Sequence, residues 1–207
     1  SACVVAGIAA AQALNASGFD PKGSLEIATL LEGHPDNVAP AIMGGLVSSF
    51  SDGRHTHSLR FEIAEGLSFV AIAPPYEVRT ADARKVMPQS VPTETAVWQI
   101  GHCVAAVHAL TTGDAGLLAV SCQDRLHEPY RSQLIADYEP LRRTALAAGA
   151  AAYLISGSGS TMLAVCDGRK AAERVACSVT NMVENRVEGL WVRILGTHTT
   201  GTTVELG

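Results

Sequence analysis

The sequence predicts an α+β fold, and three observations carry that prediction. Beyond about residue 67 the hydrophobic pattern runs strand, helices, strand, strand, helix, strand. That order suits one antiparallel sheet with helices on one face, in a split βαβ arrangement. The apolar residues are 47% of 207 and are mostly Ala, Val and Leu, a composition that lets helices pack closely on a sheet. Ahead of this region lie short helices and a hairpin, so the expected boundary falls near Glu65-Gly66, giving domains 1–65 and 66–207.

Ser1, a good N-cap type, leads into a helix over 2–14 that reads as buried, with Val4, Val5, Ile8 and Leu14 as its larger apolar groups. Asn15-Ala16-Ser17-Gly18 has the composition of a C-cap. Residues 19–23 read as a loop, and Ser24 as the cap of a helix over 25–32 with Leu25, Ala28 and Leu31 at helical spacing. Gly33-His34-Pro35 breaks it, and a short helix over 38–42 ends at Gly44-Gly45. Residues 46–50 and 58–63 read as strands joined across Asp52-Gly53.

Residues 67–73 form an apolar strand closed by Pro74-Pro75. Helices follow over 80–86, over 92–110 (apolar at Ala96, Val97, Ile100, Val104 and Val107), over 114–120, and over 132–148 with Leu134, Ile135, Leu141 and Leu146 in phase. Strands over 151–155 and 161–165 flank Ser156-Gly157-Ser158-Gly159-Ser160. A helix over 169–184, a strand over 190–195 and a last strand over 203–206 complete the pattern.

Composition excludes several classes. Fifteen Lys+Arg against 20 Asp+Glu give a net charge of −5, and Arg142-Arg143 and Arg169-Lys170 are isolated pairs. A nucleic-acid binder that works through a basic face needs clustered cations. No run of about 18 uncharged apolar residues marks a membrane span. The five cysteines have no CxxC spacing, and most sit among apolar neighbours. They read as buried free thiols, which points to a reducing, cytoplasmic setting. His55-x-His57 reads as a solvated strand face rather than a metal site, since no third ligand type accompanies it. Ser1, not Met, opens directly on a core helix. Natural termini usually lie in exposed segments, so truncation inside a domain is expected, with a processed N-terminus as the alternative.

Three features carry chemistry. In Glu32-Gly33-His34-Pro35-Asp36-Asn37 a helix end, a rigid turn and a helix start crowd polar groups together. Such a turn can hold a polar substrate or a hydrated Mg²⁺; it can equally be a capping turn in which Asp36 is the N-cap and His34 a surface residue. Ser156-Gly157-Ser158-Gly159-Ser160-Thr161 between two strands lets backbone N–H groups approach a ligand, although it is not a Walker loop. Arg84, Arg125 and Arg131 are candidate holders of a carboxylate or phosphate, or plain surface cations.

Together these strings resemble a family. EGHPDNVAPAIMGG at 32–45 closely resembles the hallmark segment of homoserine kinases, members of the GHMP small-molecule kinases. SGSGST at 156–161 resembles that family's third motif, with Ser160 in place of the usual Pro. Arg79-Thr80-Ala81-Asp82-Ala83-Arg84 resembles its Ser-Thr-x-x-Ala-Arg helix start, with Arg79 for Ser. Asp124 to Arg131 resembles its Asp-x-x-x-x-Pro-x-Arg stretch. The resemblance runs from residue 1 to about 166. It implies a two-domain GHMP architecture: a ferredoxin-like C-terminal α/β sandwich behind the rear part of a ribosomal-S5-like N-terminal domain. Ser1-Ala2 matches the final Ser-Ala of the family's phosphate loop. On that reading the fragment lacks the loop's glycines and is inactive alone.

The resemblance further implies transfer of the γ-phosphoryl of ATP to the side-chain hydroxyl of L-homoserine, yielding O-phosphohomoserine on the way to threonine, in a cytoplasmic enzyme. Ser1 and Glu32 would hold Mg²⁺, with Ser1 also on the nucleotide side. His34, Arg84 and Arg131 would hold the amino acid, the arginines on its carboxylate. Asn37 would touch substrate where mevalonate kinases place a catalytic Asp, and an amide is no general base near neutral pH. Gly157 and Gly159 would line the site. No nucleic acid or membrane partner is expected, and a homodimer is compatible with the pattern. The alternatives are another GHMP kinase, such as mevalonate or diphosphocytidyl-methylerythritol kinase, and a non-catalytic amino-acid-binding module.

Overall fold

The computed structural model describes residues 1–15, 18–183 and 189–205. The chain divides into two compact units, residues 1–63 with 197–207, and residues 64–196.

The first unit holds α1 (Ala2–Leu14), α2 (Pro21–Glu32), α3 (Val38–Met43) and an antiparallel hairpin of β1 (Leu46–Ser51) and β2 (Thr56–Phe61). Val5, Leu25, Ala28, Val38, Ala39 and Ile42 form its core. α1 is less buried than its composition suggests: Val5 and Ala9 are inside, but Leu14 is 88% exposed. Asn15 is its C-cap, and Ala16 and Ser17 of the expected cap lie outside the described residues.

α2 begins at Pro21 rather than after Ser24. Asp20 is the stronger cap: its carboxylate accepts the Lys22 N–H at 3.1 Å, and Pro21 occupies the first helical position, where a missing N–H costs nothing. Ser24 is instead buried in the helix, its Oγ donating to Gln12 Oε1 at 3.4 Å. His55 and His57 are exposed and face Glu26 and Asp52, at 3.5 and 2.9 Å. Among the described residues no group of three His, Cys, Asp or Glu could hold a metal.

The tail departs from its expected place. Residues 203–205 form no strand, and Leu206 lies outside the described residues. The expected boundary assigned everything beyond residue 66 to one domain, yet residues 197–207 belong with the first unit. The reason is the end of α3, whose last carbonyls lack helical partners. Thr202 satisfies two of them: its N–H donates to the Ile42 carbonyl and its Oγ1 to that of Ala41, both at 2.9 Å. The Gly45 N–H donates to the His198 carbonyl at 2.8 Å, and Arg60 Nη2 to that of Thr199 at 2.9 Å.

The second unit contains β3 (Leu67–Ala73), α4 (Thr80–Lys85), α5 (Thr93–Thr112), α6 (Ala115–Ser121), α7 (Glu128–Arg131), a 3₁₀ turn (Ser132–Leu134), α8 (Tyr138–Ala147), β4 (Ala150–Ile155), β5 (Met162–Asp167), α9 (Arg169–Val183) and β6 (Trp191–Leu195). The strands pair antiparallel in the order β4-β5-β3-β6, which is the split βαβ arrangement. α8 and α9 lie against this sheet and each other, around Val70, Ile72, Leu141, Met162, Val175 and Val179. Residue 184, expected in the last helix, is outside the described residues.

Three expectations fail here. The single helix over 132–148 is broken: Ile135 has extended backbone (φ −115, ψ 101), which turns its side chain inward to 2% exposure. The apolar stripe of α5 faces outward, with Val97, Ile100 and Val104 at 64, 66 and 67% exposure; α5 packs against α6, and Ala109 is its buried residue. Periodicity finds a stripe but not the neighbour that covers it. The cysteines are unpaired as expected, yet Cys3, Cys103 and Cys177 are exposed and only Cys166 is fully buried. Adjacent residues on a helix point to different faces, so apolar sequence neighbours do not imply burial. Among the described residues no helix is long and apolar enough to cross a membrane.

A Cβ on Gly201 would stand 1.8 Å from the Ile42 carbonyl oxygen, whereas one on Gly66 would meet nothing within 4 Å. Gly201→Ala therefore costs about 1–3 kcal/mol of unfolding free energy by overpacking, measured by chemical denaturation, while Gly66→Ala stays within about 0.5 kcal/mol of the parent.

Candidate functional site

In the first unit the polar turn joins α2 to α3. Gly33 closes α2 in the left-handed region (φ 81), its N–H on the Thr29 carbonyl. That conformation costs a non-glycine residue free energy. The turn is anchored just beyond by Val38 and Ala39, both fully buried. Its polar residues stay near solvent.

Glu32 Oε1 lies 3.0 Å from the Ser1 nitrogen, so the structure brings Ser1 and Glu32 together. The His34 ring hydrogen-bonds the Asp36 carboxylate through Nδ1. That contact orients the imidazole and leaves Nε2 for another partner. Asp36 is not the N-cap of α3. Asn37 holds that position with αR backbone (φ −101, ψ −31) and no side-chain capping bond, so its exposed amide is available to a ligand.

A carboxylate beside a hydroxyl is a hard oxygen donor set. It fits Mg²⁺, which proteins usually bind through one or two carboxylates with waters and substrate phosphates completing the octahedron.

In the second unit the glycine turn crosses from β4 to β5. The Ser156 N–H donates to the Thr161 carbonyl at 2.9 Å and the Gly159 N–H to that of Ser156 at 3.1 Å. Gly157 and Gly159 have φ of 61 and 85, a region open to glycine at little cost. Arg131 reaches the turn from α7, its Nη1 donating to the Gly157 carbonyl at 3.0 Å. Thus three predicted residues, Arg131, Gly157 and Gly159, share one locus. Ser160, standing where the family has Pro, ties the turn down by donating its hydroxyl to the Tyr76 carbonyl. Arg84 is exposed in the last turn of α4. Arg125 is drawn elsewhere, its guanidinium 4.0 Å above the Trp98 ring.

Sequence reasoning missed the supports. Asp124 builds the entry to α7 by accepting the Leu126 and His127 N–H groups at 2.5 and 2.9 Å, with the His127 ring at 3.3 Å. This Asx turn was readable from an Asp two and three residues ahead of the amides it caps. Ile135 packs against Gly159, and the Tyr76 carbonyl meets Ser160 at the turn; no local pattern signals these.

A Cβ on Gly159 would lie 3.0 Å from Ile135 Cδ1, in addition to the backbone strain. Gly159→Ala is expected to cost about 1–3 kcal/mol by thermal or chemical denaturation. Burial alone would raise the Asp124 carboxyl, but the His127 ring and the His127 and Leu126 amides outweigh it and hold the group below its ordinary range. The resulting stabilisation is complete above the unfolded carboxylate pKa of about 4 and is lost as pH falls through the lower folded value. Asp124→Asn should therefore flatten the acid limb of a stability–pH curve.

A family model described as GHMP kinases C terminal matches residues 106–185. The homoserine kinase of Clostridium kluyveri is 39% identical over 165 residues, covering 80% of this chain and 55% of that protein. The homoserine kinase of Clostridium botulinum (strain Kyoto / Type A2) is 31% identical over 204 residues, covering 99% of this chain and 68% of that protein. The crystal structure of homoserine kinase from Cytophaga hutchinsonii superposes with a TM-score of 0.85 at 30% identity, covering 95% of this chain and 64% of that one. The chain spans little more than half the length of the first of these relatives. With the polar turn, the glycine turn and this likeness along nearly the whole chain, it belongs to the homoserine kinase family of the GHMP kinases.

Proposed function

We propose that the protein transfers the γ-phosphoryl group of ATP to the side-chain hydroxyl of L-homoserine, giving O-phosphohomoserine, with Mg²⁺ as cofactor. The observation that carries this reading is the turn between α2 and α3. It presents a carboxylate (Glu32), an oriented imidazole (His34) and an uncommitted amide (Asn37) within six residues. Its chain aligns with homoserine kinases over nearly its full length.

Mg²⁺, when bound, neutralises charge on the phosphates during transfer. Glu32 is suited to hold it as a carboxylate, ionised near neutral pH; Ser1 would add a hydroxyl oxygen. His34 would meet the substrate through Nε2, since Nδ1 is spent on Asp36. Arg84 and Arg131 would take the homoserine carboxylate. Arg131 commits Nη1 to Gly157 and so keeps its other donors in a fixed direction. Asn37 would orient the attacking hydroxyl and cannot remove its proton. The proton then passes to the transferred phosphoryl group, and rate comes from positioning and charge neutralisation. Gly157 and Gly159 would present backbone without side chains to crowd the ligand.

A panel of homoserine, mevalonate and related alcohols, offered to the full-length protein with coupled ADP detection, tests the reading. Homoserine should be preferred by at least about 100-fold in kcat/KM, and equal use of mevalonate would overturn it. In the same protein Glu32→Ala should lower turnover on the order of 100-fold or more and raise the Mg²⁺ concentration needed for half-maximal rate; unchanged Mg²⁺ dependence would remove Glu32 from that role. Arg131→Lys should raise the homoserine KM about tenfold, because an ammonium cannot make the planar bidentate contact.

A further inference from the structure

We propose that Gln99 is a positioning residue: its side-chain amide grips the backbone on both sides of Asp124 and so fixes the start of α7, from which Arg131 reaches the glycine turn. What Arg131 holds rests on the homoserine kinase reading above.

α7 has four residues. Isolated helices well above that length are already marginal in water, so its direction depends on the segment that leads into it. That segment, 123–127, is neither helix nor strand. Side chains hold it instead. Gln99 Oε1 accepts the Arg125 N–H at 2.9 Å, and Gln99 Nε2 donates to the Gln123 carbonyl at 3.4 Å. A side-chain amide carries a carbonyl and an NH₂ together, as only Gln and Asn do. Gln99 therefore meets the segment as the peptide of a neighbouring strand would.

From there hydrogen bonds continue to the glycine turn. The carboxylate of Asp124, between the two gripped residues, accepts the Leu126 and His127 N–H groups at 2.5 and 2.9 Å. The His127 carbonyl accepts the Tyr130 and Arg131 N–H groups at 3.1 and 2.9 Å. Arg131 Nη1 then donates to the Gly157 carbonyl at 3.0 Å. Each step fixes the backbone that carries the next, and Gln99 is where the series starts on α5.

The scaffold under Gln99 is rigid. α5 is a helix of 20 residues, and groups carried on helices keep their geometry better than groups on loops. The neighbouring Trp98 takes the Arg125 guanidinium at 4.0 Å over its ring. The His102 ring, one turn further on, stacks on Trp98 with centroids 3.4 Å apart. Arg125 is thus held twice, by its amide on Gln99 and by its side chain on Trp98. Its cation, a candidate anion holder by sequence, is spent on fixing the segment that leads to Arg131.

The test uses the full-length protein with Gln99→Ala, Arg131→Ala and the two together. Q99A should raise the homoserine KM about tenfold while kcat and the ATP KM stay within about twofold. In the R131A background the same change should add less than about twofold, because Gln99 acts through Arg131. The Tyr130 and Arg131 amides, which Gln99 does not touch, should exchange at least about tenfold faster in Q99A. Gln99→Glu keeps the acceptor for Arg125 and loses the donor to Gln123, so it should raise the homoserine KM about threefold; it carries the same cycle should Q99A not fold. Parent-like homoserine KM in both variants would overturn the proposal. So would a full tenfold rise added to R131A, or equal loss of homoserine and ATP affinity with a lowered Tm. Should the parent protein not phosphorylate homoserine, the kinase reading falls by itself. The exchange rates then still decide: faster exchange at Tyr130 and Arg131 supports the role of Gln99, and unchanged exchange removes it.

Discussion

Strand β3 is the member on which the second unit depends. It is hydrogen-bonded along both edges, to β5 and to β6, and Val70 and Ile72 on it are fully buried. Burying each such side chain contributes about 1.5–3 kcal/mol. A one-residue slip would carry them to the wrong face and break two ladders at once. That constraint sets the register of β5 and, through it, the place where the β4–β5 connection turns. Pro74-Pro75 then stop the strand and deliver Tyr76 to the spot where its carbonyl receives the Ser160 hydroxyl. The glycine turn is therefore located by the sheet and oriented by contacts from outside it.

The first unit works differently. It has no large sheet, only three helices and a hairpin around a six-residue core. Its polar turn is stiffened by a left-handed glycine on one side and by two fully buried residues on the other. The groups that carry chemistry are left near water, so their charged forms bear little desolvation cost. In the second unit the polar groups beside the turn are buried, and their energetics are correspondingly higher in stake.

Much of this was legible before any coordinates. β3 falls where its apolar run and closing prolines place it. The four-strand order follows from the pattern beyond residue 67. The EGHPDN and SGSGST strings identified both candidate loci, because special backbone and crowded polar groups leave a local signature. The failures share a cause. Ser24 has cap chemistry, but Asp20-Pro21 outcompetes it. Val97, Ile100 and Val104 are apolar in helical phase, but α6 covers another side of α5. Residues 132–148 carry one helical period, but Ile135 leaves the helix to pack over Gly159. In each case a local preference was real, and a stronger competing cap or a packing neighbour overruled it.

The sequence by itself determined the family, the order of strands and helices, and which two short segments carry the chemistry, since each is encoded within about a dozen neighbouring residues. Only the tertiary structure decided that the tail returns to α3, that Arg131 spends a donor on Gly157 while Arg125 stacks on Trp98, and that Ser160 donates its hydroxyl to the Tyr76 carbonyl. These contacts join residues many positions apart. Their geometry comes from packing and from the need to satisfy buried polar groups, which no local run of residues specifies.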